Sequence, residues 1–186
     1  DDTLNISELK KHISSKEYSY ISDLITISNK KRKILTYDIS SKKKIILVSV
    51  KNNTTSSKAE SLGAKFYDYF KDTKEEYFKI NTDTVKIKLK NFVGYFLHGM
   101  RLKSYIFEKY KSKKNKRNIF VSVTGSNKPS IKDQIKFNAI EEGTFFARDL
   151  VSEPGNILHP DEYAKRLILL KKIGLDVNIY DEKKLK

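Results

Sequence analysis

The strongest periodic signal in this chain of 186 residues is helical, and it ends on a proline. Between Ile131 and Val151 the apolar residues Ile135, Ala139, Ile140, Phe145, Phe146, Leu150 and Val151 recur at the spacing that lines one face of a helix. Pro154-Gly155 ends the pattern, because proline lacks an amide hydrogen and clashes with the preceding turn. Pro160 then fits the first turn of a second helix, running to about Lys172 and capped by Gly174. The two prolines predict a rigid elbow. They divide the chain into an N-terminal α/β domain (1–128), a linker helix with its elbow (129–158) and the start of a further domain (159–186). That last α-β-α stretch is too small to enclose a core, so it is expected to be a truncated unit.

Upstream, residues 1–17 read as a short polar helix or arm with a weak stripe of Leu4, Ile6, Leu9 and Ile13. Tyr20–Ser28 and Lys33–Ile39 read as strands, joined by a charged hairpin tip at Lys30–Lys33. Ile45–Val50 (IILVSV) is a continuous apolar run, the mark of a central strand. A helix capped by Thr54, Thr55 or Ser56 carries Ala59, Leu62, Phe66, Tyr69 and Phe70. Tyr77–Ile80 and Thr84–Leu89 alternate like strands, Asn91–Tyr110 is mostly helical, and Asn118–Val123 is a buried strand stopped by Gly125. Leu175–Tyr180 predicts one more strand, and Asp181 the start of a helix. Strands alternating with helices imply an α/β fold with a mixed sheet.

Ten phenylalanines and eleven tyrosines supply enough apolar bulk for a real core, so wholesale disorder is not expected. No cysteine is present, which excludes a disulfide framework, a thiolate metal site and a cysteine nucleophile within these residues. The first residues show no basic-then-apolar leader, and the apolar runs are far too short to span a bilayer. A cytoplasmic protein with no membrane partner is therefore expected. The net charge of +15 has two readings. A nucleic-acid or acidic-membrane partner is one. The other, favoured here, is the codon bias of an AT-rich genome, because lysine outnumbers arginine 33 to 5 amid abundant Asn, Ile, Tyr and Phe.

Residues that could carry chemistry are sparse. His12, His98 and His159 share no metal-ligand spacing, and His98 reads as a satisfied core or interface histidine. Glu141 and Glu142 point about 100° apart on a helix and read as a solvated face. Glu153, at a helix end beside a chain reversal, reads as a carboxylate pairing with Arg148 or with backbone donors. Gly94 and Gly99 lie inside a helical pattern and form no phosphate-cradling loop. The basic stretch after Lys109 interleaves Tyr110 with Lys111, Lys113, Lys114, Lys116 and Arg117, an arrangement that could contact single-stranded nucleic acid, although a solvated linker is the commoner outcome.

One segment is more specific. Phe145–Pro160 (FFARDLVSEPGNILHP) resembles the A-R-D-L-V-N-E-P-x-N-x-x-x-P signature of the leucyl aminopeptidases of peptidase family M17, the cytosol aminopeptidases. Leu102–Lys111 (LKSYIFEKYK) resembles that family's L-R-S-Y-x-F-D-K-Y-K stretch, and Gly174–Val177 and Tyr180–Leu185 match the following strand and helix start. Ser152 departs from the family's usual Asn but is also small and polar. The resemblance implies an N-terminal macro-domain-like mixed sheet flanked by helices, the linker helix, and the beginning of a metallopeptidase domain. It also implies peptide substrates, hexameric assembly and two divalent metals (Mn or Zn), with catalytic and metal-binding residues in later segments. No catalytic residue, metal ligand or cofactor is expected within this chain. Arg148, Asp149, Glu153, Pro154, Asn156 and Pro160 are expected to be architectural.

Overall fold

The computed structural model describes residues 6–28, 32–113 and 118–185. Six α-helices and four strands follow one another as α1 (Ser15–Ile27), β1 (Ile34–Ser40), β2 (Lys43–Val48), α2 (Ser56–Phe70), β3 (Tyr77–Asn81), α3 (Phe92–Lys103), β4 (Phe120–Thr124), α4 (Ile131–Ser152), α5 (Pro160–Ile168) and α6 (Glu182–Leu185). Short 3-10 turns precede α1 at Ser7–Lys11 and follow α5 at Leu169–Ile173. The α/β class is as expected. Its strands form two pairs, an antiparallel β1–β2 hairpin and a parallel β3–β4 pair.

The expected strand at Tyr20–Ser28 is instead the body of α1. The Ser14 side chain accepts from the Glu17 amide while the Glu17 carboxylate accepts from the Ser14 amide at 2.8 Å, a reciprocal cap that starts a helix. Ile21, Leu24 and Ile25 then fall on one helical face and pack on Leu35 and Tyr37 of β1. The charged tip expected at Lys30–Lys33 therefore joins a helix to β1, and residues 29–31 lie outside the described residues.

Ile45–Val50 is not a central strand, since β2 pairs with β1 alone. Its run is apolar throughout because both faces of the hairpin are covered. Leu35, Tyr37, Ile45 and Leu47 face α1, whereas Ile34, Ile46 and Val48 join the main core. That core is built on α2 and α3, with Ala59, Leu62, Phe66 and Phe70 meeting Phe92, Val93, Phe96 and Met100, and with Phe78 of β3 against Phe66 and Phe70. Thr84–Leu89 is irregular rather than a strand. Its alternation is real, since Val85, Ile87 and Leu89 pack on the core, but its backbone bonds to the Asn52 loop rather than to a strand.

Two glycines let α2 and α3 touch backbone to backbone. A Cβ on Gly63 would lie 1.9 Å from the Phe96 carbonyl oxygen, and one on Gly99 would lie 2.0 Å from that of Glu60. Gly99, read from the sequence only as lying inside a helical pattern, is thus one side of a direct backbone contact between two helices. Gly125 has φ 102° and ends β4 where a side chain would be strained and would strike Thr82.

Beyond β4 the packing thins. The apolar face expected on α4 is largely open. Ile131, Ile135, Ile140 and Val151 are exposed, and its buried residues are Phe137 and Glu141. Leu175–Tyr180 forms no strand, and both its end residues are exposed. Gly174 does close the turn after α5 in the left-handed region.

Gly63→Ala or Gly99→Ala is expected to lower stability by about 1–3 kcal/mol or more through overpacking, although alanine is the better helix former by about 1 kcal/mol. Gly143→Ala on α4, with no atom within 4 Å of its added carbon, is expected to raise stability by about 0.5–1 kcal/mol. Urea-unfolding midpoints of the three variants check both signs.

Candidate functional site

The residues singled out in the sequence converge at the C-terminal end of α4. Helix α4 starts at the Ser130 cap, and its last turn carries Arg148 and Asp149 on the side facing the chain that leaves α3. The Arg148 guanidinium donates to the Leu102 carbonyl oxygen at 2.6 Å and lies over the Tyr105 ring. The Tyr105 hydroxyl donates to Asp149 Oδ1 at 2.7 Å. Burial, followed by this bond to a carboxylate, raises the Tyr105 hydroxyl above its ordinary range.

Glu153, the C-cap of α4, is the centre of the site. Its side chain is 1% exposed. Oε1 accepts from Lys109 Nζ at 2.5 Å and from Arg166 Nη1 at 2.8 Å, and Oε2 accepts from the Tyr110 hydroxyl. Arg166, on α5, is held in turn by Glu162 one helical turn earlier, at 3.1 Å. One carboxylate therefore joins α4, the segment after α3, and α5. The bonds from Lys109 and then Tyr110 hold the Glu153 carboxyl down to about 2, and the same contacts push the Lys109 and Tyr110 groups upward. The expected partner Arg148 is not among its contacts, because Arg148 is spent on Leu102.

Pro154 and Pro160 shape the path between these groups. The Pro154 carbonyl oxygen accepts from the amides of Ile157 and Leu158, both at 2.9 Å, and closes a tight turn around Asn156. Pro160 is the first residue of α5 and so sets the direction from which Arg166 returns to Glu153. The stretch Leu102–Lys111 and the stretch Phe145–Pro160 are thus each other's hydrogen-bond partners. Sequence reasoning quoted Lys109, Tyr110 and Tyr105 inside the first motif but gave them no role at the elbow, and it passed over Arg166. The signal that could have found them was the pairing of the two motifs.

Two further readings are settled here. Glu141 is not solvated; it is buried and takes a 2.8 Å bond with His98 Nδ1, while the His98 ring stacks on Phe137. His98 is thus a satisfied interface histidine between α3 and α4. In the basic stretch, Lys111 lies 3.7 Å from Glu108, and Lys111 and Lys113 are exposed. Lys114, Lys116 and Arg117 lie outside the described residues.

A cleft of about 1010 Å³ opens beside the joint, lined by Met100, Arg101, Ile106, Phe146, Leu150 and Glu153. Glu153 accepts three bonds, from two cations and a phenol, so its role here is to fasten elements together. Among the described residues no group of three or more His, Asp or Glu side chains could hold a metal ion. No described helix is long and apolar enough to cross a membrane.

No family model matches the chain. Curated relatives do. A probable cytosol aminopeptidase of Rhizobium meliloti is 38% identical over 99 residues, covering 49% of this chain and 20% of that protein. The corresponding protein of Agrobacterium fabrum is 39% identical over 98 residues, again covering 49% and 20%. The chain resembles the N-terminal portion of the cytosol aminopeptidases. It spans about a fifth of the length of these relatives. Solved structures agree on the fold. A tomato leucine aminopeptidase variant superposes with a TM-score of 0.70 at 21% identity, over 96% of this chain and 37% of that one. The manganese complex of the bottromycin maturation enzyme BotP gives 0.66 at 18% identity, over 88% and 36%.

Glu153→Gln is expected to destabilise the joint at neutral pH. The folded-state value lies below the ordinary 4.5, so ionised Glu153 contributes stability above that value, and the contribution fades as pH falls toward about 2. The gap in melting temperature between wild type and variant should therefore be constant above about pH 5 and shrink below it. Paired thermal melts across pH 3–7 check this.

Proposed function

We propose that this chain serves as the N-terminal portion of a leucyl aminopeptidase, an exopeptidase that releases N-terminal residues, leucine preferentially, from peptides. The supporting observation is that the two motif stretches bond to each other around Glu153. In this reading the portion has an assembly and architectural role. The α2–α3 core provides a rigid body, and the Glu153 joint fixes the angle at which the chain passes from α4 into α5. The two divalent metals, Mn or Zn, and the catalytic side chains belong on residues outside this chain, where the metals would activate water and polarise the scissile carbonyl. The parent enzyme is a cytoplasmic hexamer, and this chain alone is inactive.

Hydrolysis of leucine p-nitroanilide with added Mn²⁺ tests the reading. The 186-residue chain is expected to give no turnover above background. A longer protein carrying it is expected to be active, and a chelator should abolish that activity. Chelator-insensitive turnover by the isolated chain, or a longer protein with no aminopeptidase activity, would overturn it. Glu153→Ala in the longer protein is expected to lower kcat/KM by about tenfold, with its Mn²⁺ requirement unchanged, as misplacement of a rigid support does.

A further inference from the structure

The β3–β4 pair has one face in the core and one in solvent. Phe78, Ile80, Val121 and Val123 point into the main core. The alternate residues, Tyr77 and Lys79 on β3 with Phe120 and Ser122 on β4, stand side by side in register on the other face and are exposed. Helix α1 packs on the β1–β2 hairpin. Two large aromatic side chains therefore sit uncovered at the start of the pair, Tyr77 77% and Phe120 48% exposed. Their rings are stacked, 5.0 Å between centroids and 13° from parallel. Neither ring is buried in the core, and Phe120 also lines the rim of the cleft beside the joint.

Cations lie near this platform, together with the carboxylates of Glu75 and Glu76 just before Tyr77. Lys79 follows Tyr77 on the same face, and Lys74 precedes it by one short turn of chain. Lys44 reaches Glu75 at 2.5 Å, which brings the tip of the β1–β2 hairpin, with exposed Lys42, to the same end of β3. Among the described residues, Lys42, Lys74 and Lys79 have no carboxylate partner. Exposed coplanar rings flanked by unpaired cations match a ligand that alternates flat apolar rings with phosphates. Stacking on aromatic side chains and cationic tracking of the backbone are the two terms that bind unpaired nucleotides. A duplex fits worse, since its bases are stacked on one another and closed to an external ring. A second copy of the chain fits worse too, because a self-paired face would set Lys79 against its like.

We infer that the exposed face of β3–β4 binds single-stranded nucleic acid, with bases stacked on Tyr77 and Phe120 and a phosphate held by Lys79. The inference uses none of the contacts of the Glu153 carboxylate, although Phe120 also lines the cleft beside that joint.

Fluorescence anisotropy with a labelled oligo-dT of about 15 nucleotides, a site size such folds track, tests it against a duplex of the same length. The full chain is expected to prefer the single strand. Tyr77→Ala with Phe120→Ala should weaken that binding by about tenfold or more. Lys79→Ala should weaken it and reduce the salt slope by about one. Equal binding of duplex and strand would overturn the inference, as would an unchanged affinity in the aromatic double variant. Sedimentation showing self-association that the double variant abolishes, with no oligonucleotide bound, would assign the face to a second copy instead. If the double variant does not fold, Lys79→Glu at its exposed position decides: affinity should fall at least tenfold, and unchanged affinity overturns the inference.

Discussion

The backbone contact between α2 and α3 is the constraint on which the rest of this structure hangs. Gly63 and Gly99 remove the side chains that would otherwise hold the helices apart. Their closeness aligns Phe66 and Phe70 with Phe78 and Phe96 in a cluster of tilted and edge-on rings. Aromatic pairs of this geometry add to the burial of their area. Both strand pairs then use this helix pair as a floor: the hairpin contributes Ile34, Ile46 and Val48, and β3–β4 contributes Phe78, Ile80, Val121 and Val123. Separate two-stranded sheets are marginal alone. Here a common helical floor supports both.

The floor also places the elbow. Helix α3 ends at Lys103, and the chain leaving it passes under the last turn of α4, where Tyr105, Lys109 and Tyr110 meet Asp149 and Glu153. A second tie, His98 with Glu141, holds α4 to α3 three turns earlier. The glutamates at the centre of both ties are shielded from water, and such groups are costly to leave unpaired. Two fixed points on one helix define its direction, and the fasteners at Glu153 transmit that direction to α5 through Arg166. The exposed isoleucines of α4, Ile131, Ile135 and Ile140, all precede both of these points.

Local grammar explains which elements were legible. Pro154 and Pro160 mark their helix ends unambiguously because proline's ring acts through the backbone next to it. The α2 window and its Thr55 cap were equally plain, since cap and periodicity lie within a few residues of each other. The motif resemblance pointed to the right segments for the same reason. Tyr20–Ser28 misled because its short apolar run fits either period, and only the Ser14–Glu17 cap upstream distinguishes a helix from a strand.

What the sequence determined by itself was thus the punctuation: where helices start and stop, that an elbow follows Ser152, and that the chain is of the α/β class. The tertiary structure decided what each side chain is for. Glu153 meets Lys109 from 44 positions away, and Glu141 meets His98 from 43. Ile45–Val48 is apolar because two separate cores press on opposite faces of one hairpin. Periodicity describes a residue's relation to its own element, whereas a long-range polar contact depends on which distant element lies across from it, and the packing of the helices sets that.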